Sequence, residues 1–98
     1  AGKGNGVMVV DFGASWCGPC KALDPVMEEL ASEMTGEARF FKVSLEDAPR
    51  VAERYKIRSL PTVAFFRGEE KVGAVTGLKP KAVLKAAIDE VLLADRQS

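Results

Sequence analysis

Val7-Met8-Val9-Val10-Asp11-Phe12, then Gly13-Ala14-Ser15, then Trp16-Cys17-Gly18-Pro19-Cys20, is the stretch from which the rest of the chain can be read. Its first six residues are rich in β-branched side chains and almost continuously apolar. That is the pattern of a central parallel strand covered on both faces. Gly13 to Ser15 supply a turn. Beyond the cysteines, Leu23, Val26, Met27, Leu30, Ala31 and Met34 recur at helical spacing on one face, and Gly36 ends the helix they predict. Pro25 lies inside that helix, removes one backbone donor and predicts a kink. Two thiols two residues apart at the start of a helix can close into a disulfide and reopen while the fold stays intact.

Working outward, Phe40-Phe41-Lys42-Val43 predicts a second strand, and a short helix runs from about Pro49 to Tyr55. Thr62 to Phe66 and Lys71 to Thr76 predict two more strands, joined through Gly68-Glu69 as a tight antiparallel hairpin. A last helix opens with Pro80 and buries Val83, Leu84, Ala87, Ile88, Val91 and Leu92. The order is βαβαββα. Strand–helix–strand at the start implies a parallel crossover, and the closing hairpin adds antiparallel strands to the same sheet. Residues 1–6, half of them glycine, read as a flexible segment, 7–94 as one domain, and 95–98 as a polar, frayed tail.

Ninety-eight residues bound the chain to one domain. Fourteen basic residues balance fourteen acidic ones, so no overall field draws it to nucleic acid or to a membrane surface. No apolar run approaches the length of a membrane-spanning helix, and no signal-peptide core is visible.

Cys17 and Cys20 are the only cysteines, and there is no histidine. A structural crosslink across so short a loop stabilises by about 2 kcal/mol at most. A zinc site would need carboxylates or a second chain to complete its ligand set. A redox dithiol is the reading that needs nothing added. The thiolate is the attacking species, and a free cysteine near pKa ~8.5 is mostly protonated at neutral pH. Placing Cys17 just ahead of a helix favours its charged form through unpaired N–H groups and the helix dipole. Cys17 is then expected to be accessible, with Cys20 behind it.

Asp11 stands out as an acid on an apolar strand, costly to bury unless paired. Burial would make it a proton acceptor for Cys20, with Lys42 on the neighbouring strand as ion-pair partner. The alternative is a solvated strand end with Lys42 facing water. Trp16, the single tryptophan, is either a packing residue or an exposed ring that meets a partner. Pro61 suits the first position of a strand, and base rates alone give it a trans bond.

Val9-Val10-Asp11-Phe12, Ala14-Ser15-Trp16-Cys17-Gly18-Pro19-Cys20-Lys21 and Tyr55-Lys56-Ile57-Arg58-Ser59-Leu60-Pro61-Thr62, continuing through Phe65-Phe66 and Gly77, resemble thioredoxin. The resemblance implies an α/β thioredoxin-like fold with a four-stranded mixed sheet, Cys17 as nucleophile and Cys20 as resolving thiol. It implies that Asp11 is the buried acid, with Lys42 beside it. Pro61 matches the family's cis-proline, and Leu60 before it would pair backbone-to-backbone with substrate. Trp16, Gly18, Pro19, Leu60, Pro61 and Gly77 would line a shallow apolar docking surface.

Two departures accompany the likeness. Family members usually carry an aromatic residue where this chain has Gly13; glycine there either permits a closer backbone approach or loosens the turn. The family's initial strand and helix have no room before Val7, which leaves the smaller core that glutaredoxins also contain. In that layout residues 40–44 form an uncovered edge, open to a second copy or a partner.

The function expected from these features is reduction of disulfides in protein substrates, with no cofactor bound. No GxGxxG unit is present to take NADPH, so the resemblance implies a thioredoxin reductase as electron donor. A disulfide oxidase or isomerase domain, and a docking module using the same surface, are the alternatives. The expected compartment is the cytoplasm, or an organelle stroma or matrix after removal of a transit peptide.

Overall fold

The observed order is β1 (Val7–Gly13), α1 (Gly18–Glu33), β2 (Arg39–Ser44), α2 (Pro49–Arg54), β3 (Thr62–Arg67), β4 (Glu70–Thr76) and α3 (Lys81–Gln97). It reproduces the βαβαββα order expected from sequence. The structure is a computed structural model and describes residues 6–97; the glycine-rich start before Gly6, and Ser98, lie outside the described residues. The four strands form one sheet in the order β2-β1-β3-β4. β1 runs parallel to β2, with Asp11 opposite Lys42, and antiparallel to β3. β3 and β4 close through the two-residue turn at Gly68-Glu69, where Gly68 takes a φ of +64° that suits glycine. Among the described residues the second strand is an edge of the sheet.

β1 is central because both of its neighbours hydrogen-bond to it, and its alternating side chains divide the core in two. Val7 and Val9 join Leu23, Met27 and Leu30 of α1 and Leu84, Ile88 and Leu92 of α3 in one buried cluster. Val10 and Phe12 point to the opposite face, packing with Ala64 and Phe66 and, partly buried, Tyr55. The same alternation carries Asp11 and Gly13 onto the face of Val7 and Val9, beneath α1. That placement decides what both residues can do.

Two expectations need correction in α3. Val83 is 45% exposed rather than buried; the core stripe instead follows Leu84, Ile88, Leu92 and Asp95 at steps of four and three residues. The polar tail expected from Asp95 onward is the last turn of the helix. Asp95 is buried, with Oδ1 3.3 Å from Arg67 Nε at the end of β3, and Arg96 reaches Glu37 at 3.5 Å. Asp95→Ala leaves the Arg67 guanidinium half-buried without its carboxylate. The half-open position of Arg67 reduces the full cost of breaking a buried pair, so a loss of about 1–2 kcal/mol is expected, read as a lower urea midpoint. An unchanged midpoint would show that the pair does not hold α3 to the sheet.

Candidate active site

Cys17 occupies the N-cap of α1. Its backbone is extended, at φ −97° and ψ 107°, and its Sγ accepts the Cys20 N–H at 3.2 Å. The turn leading to it is closed by the Cys17 N–H, which donates to the Ala14 carbonyl at 3.1 Å. Pro19 sits in the first helical turn, where a missing donor costs nothing. No acidic residue lies in that turn, so no anion on the helix competes for its unpaired N–H groups. Cys17 and Cys20 are joined by a disulfide with Cα atoms 5.3 Å apart, inside the usual range.

Gly13 resolves the choice that the sequence left open. It lies directly under the cysteine pair: a Cβ built there would stand 3.2 Å from Cys20 Cβ and 3.3 Å from Cys20 Sγ. The glycine therefore serves close approach between β1 and α1. The turn is not left loose either. Leu45 N–H donates to the Gly13 carbonyl at 2.8 Å, and Glu46 accepts both the Ser15 N–H, at 2.9 Å, and the Ser15 hydroxyl. These bonds tie the segment before the cysteines to the segment after β2, and those from Ser15 hold the Glu46 carboxyl below its ordinary pKa. Neither Leu45 nor Glu46 belongs to a motif in the sequence. Their position just past the C-terminal end of a parallel strand was the available signal, since loops at such ends gather around sites.

Cys17 is less open than expected. It is 6% exposed and Cys20 4%, because Leu45 and Leu60 pack against the pair. The difference between the two sulfurs is one of direction. Cys17 lines a groove of about 420 Å³ together with Trp16, Gly18, Pro19, Leu45, Ile57, Arg58 and Leu60, whereas Cys20 is not among the lining residues. Trp16 is 72% exposed, which favours the partner-contacting alternative over packing.

Pro61 and Gly77 fall outside that groove. The Leu60–Pro61 peptide is cis, against the base rate and in line with the resemblance, and Pro61 is fully buried. Its carbonyl accepts the Gly77 N–H at 2.8 Å, Gly77 having a φ of +88° that favours glycine. Pro61 thus supports Leu60 from behind, while Gly77 is partly exposed with open space around its Cα.

Asp11 is buried, 4% exposed, and its Oδ1 has no hydrogen-bond partner. Its pKa is pushed up to about 6, first by burial and then by the negative charge of Asp24, with Lys42 acting in the opposite sense. The expected ion pair with Lys42 is not formed. The Lys42 ammonium instead lies 2.9 Å from Asp24 Oδ2 on α1, and this hydrogen bond raises the lysine pKa. Lys42 is a neighbour of Asp11 by register but a partner of Asp24 by contact.

A cysteine pair at a helix N-terminus, a buried acid two residues before the glycine beneath Cys20, and a cis-proline loop thus all lie on or next to the two central strands of the sheet. A family model described as thioredoxin matches residues 2–90 of this chain. The chain belongs to the thioredoxin family. It is 43% identical over 90 residues to the chloroplastic M-type thioredoxin of Brassica napus, covering 92% of this chain and 51% of that protein. It thus spans about half the length of the plant relatives it matches. With the thioredoxin of Staphylococcus epidermidis it shares 42% identity over 88 residues, covering 90% and 85% of the two chains. A mutant thioredoxin from Halobacterium salinarum NRC-1 superposes with a TM-score of 0.79 at 40% identity, covering 88% of this chain and 74% of that one. The thioredoxin fold expected from the motifs is therefore shown.

Proposed function

We propose that this thioredoxin-family chain reduces disulfides in protein substrates by cycling its Cys17–Cys20 pair. The observation that carries the reading is the helix-capping Cys17, disulfide-bonded to Cys20 and facing the groove that a substrate would enter. In the reduced protein the Cys17 thiolate attacks one substrate sulfur; a Cys17–substrate disulfide forms, and the other substrate sulfur leaves as a thiolate. Cys20 then gives its proton to the Asp11 carboxylate and attacks Cys17 Sγ. The Cys17–Cys20 bond forms, the substrate–Cys17 bond breaks, and the substrate departs with both sulfurs reduced and two electrons gained. Asp11, whose pKa near 6 leaves it ionised at neutral pH, suits the role of acceptor. Trp16, Gly18, Pro19 and Leu60 form the docking surface, with Pro61 and Gly77 fixing the Leu60 segment.

The partners of this reading are disulfide-bearing proteins and a thioredoxin reductase that restores the dithiol. No helix among the described residues is long and apolar enough to cross a membrane, and the cytoplasm or an organelle stroma fits relatives from bacteria and chloroplasts. The test is the Cys17–Cys20 reduction potential, with insulin reduction driven by dithiothreitol. A potential of about −270 mV and rapid turnover are expected. A value near −180 mV would reassign the domain to oxidation or isomerisation.

The edge strand belongs to the same proposal. Among the described residues no strand pairs with the outer side of β2, and Phe41 on it is 47% exposed. Such an edge is a template for pairing, and a second copy is the expected occupant at high concentration. Light scattering should show a dimer as concentration rises, with slowed amide exchange along residues 40–44. A monomer throughout, with fast exchange there, would remove this part.

A further inference from the structure

Three carboxylates and one ammonium meet between β1, α1 and β2. Asp11 on β1, Asp24 and Glu28 on α1, and Lys42 on β2 share the lining of a cavity of about 180 Å³. Asp11 and Lys42 are register partners on adjacent parallel strands, a spacing of roughly 5 Å between backbones. A lysine so placed is the natural counterion for a buried carboxyl. Its ammonium is instead drawn outward to Asp24, at 2.9 Å, while Asp11 Oδ1 is left with no hydrogen-bond partner.

We infer that Asp24 is a positioning residue for the exchange reaction: by capturing the Lys42 ammonium it keeps that cation off Asp11 and so strengthens Asp11 as a proton acceptor. The inference rests on the reading above, in which Asp11 takes the proton of Cys20. Two physical effects act in the same direction. Asp24 repels a charge forming on Asp11, and it draws away the ammonium of Lys42, the cation whose charge would relieve that repulsion. The elevated pKa of Asp11, with Asp24 raising it and Lys42 lowering it, agrees with both. Glu28 faces the same cavity and adds charge of the same sign, but it makes no bond to Lys42 in this structure, whose ion-pair partner is Asp24. Asp24 is 30% exposed on the surface of α1, so its replacement leaves the core intact.

The test is a carboxyl-carbon NMR titration of Asp11 in the full chain, together with the pH profile of release from a preformed Cys17 mixed disulfide. In Asp24→Asn the Asp11 midpoint should fall by about one pH unit, a tenfold change in proton affinity, and the acid limb of the release profile should move with it. Asp24→Glu should restore both. Lys42→Gln should raise the Asp11 midpoint several-fold more in the Asp24→Asn background than in the wild type, because only there is the ammonium free to approach. An Asp11 midpoint unmoved by Asp24→Asn would overturn the inference. So would an equal Lys42→Gln shift in both backgrounds, which would reduce Asp24 to a fixed charge. The titration needs no turnover: a midpoint that moves while the release profile stays still would sink Asp11 as proton acceptor and leave the ionic coupling standing.

Discussion

Cys17→Ser should abolish insulin reduction, with turnover lower by on the order of a thousandfold or more. The one sulfur left, that of Cys20, is buried, does not line the groove and has no second thiol on the chain with which to complete a cycle. A serine hydroxyl at the same N-cap would still satisfy the helix, which means that the fold is preserved and the loss is chemical. Cys20→Ser has a different signature. The first attack still proceeds, because Cys17 keeps its position at the helix N-terminus and its face on the groove. The second attack does not, so the protein should accumulate as a covalent adduct of substrate, visible as a mass increase that vanishes on treatment with excess dithiothreitol. Full turnover by Cys17→Ser would end the proposed mechanism. Absence of any adduct with Cys20→Ser would move the first attack to the other sulfur.

The second large effect is on stability. Asp11 has an ordinary pKa of 3.8 in the unfolded chain and about 6 in the fold. The folded state therefore holds this proton more tightly than the unfolded state does. At pH below 3.8 both states are protonated and the residue imposes no electrostatic penalty. As pH rises between about 4 and 6 the unfolded chain ionises first, and stability falls; above about 6 the loss is complete and persists at neutral pH. At full value two pKa units correspond to about 3 kcal/mol, which screening by water entering the neighbouring cavity reduces to about 1–2 kcal/mol. Asp11→Asn should accordingly stabilise the protein by that amount at pH 7.5 and hardly at all at pH 4. Urea unfolding at the two values measures it, and a gain of equal size at both would show that the effect is packing rather than charge. The same variant should slow resolution of the mixed disulfide, so that a residue which weakens the fold at neutral pH is one the proposed chemistry uses.

The strand that sets the fold was readable because its pattern is local: a continuous apolar run, a turn, then helical periodicity. Alternation along the same strand puts Asp11 and Gly13 on one face, but that this face lies under α1 is seen only in the packing of Val7 and Val9. What stayed hidden depends on contacts between distant segments. Lys42 has two carboxylates within reach, and the choice between Asp11 and Asp24 is made by how α1 lies across the sheet. Asp95 falls on the buried stripe of α3 at helical spacing, yet its charge argued for solvent until Arg67 was seen at the end of β3. Leu45 and Leu60 come from two different loops, and only their convergence on the cysteines explains why Cys17 lies deeper than its place before a helix implies. Pro61 carried no local sign of its cis bond; the motif around it did. Its burial makes it a brace for Leu60 instead of part of the docking surface.

The chain contains one indole, Trp16, and it stands 72% exposed beside the reactive sulfur. Fluorescence from this protein under excitation near the red edge of its absorption therefore originates at a single spot, the rim where substrates are expected to arrive. Docking and the opening or closing of the neighbouring sulfur–sulfur bond both alter the surroundings of that ring. The molecule carries a built-in optical probe, so the steps of the proposed cycle that pass beside this ring can be followed in real time without attaching a dye.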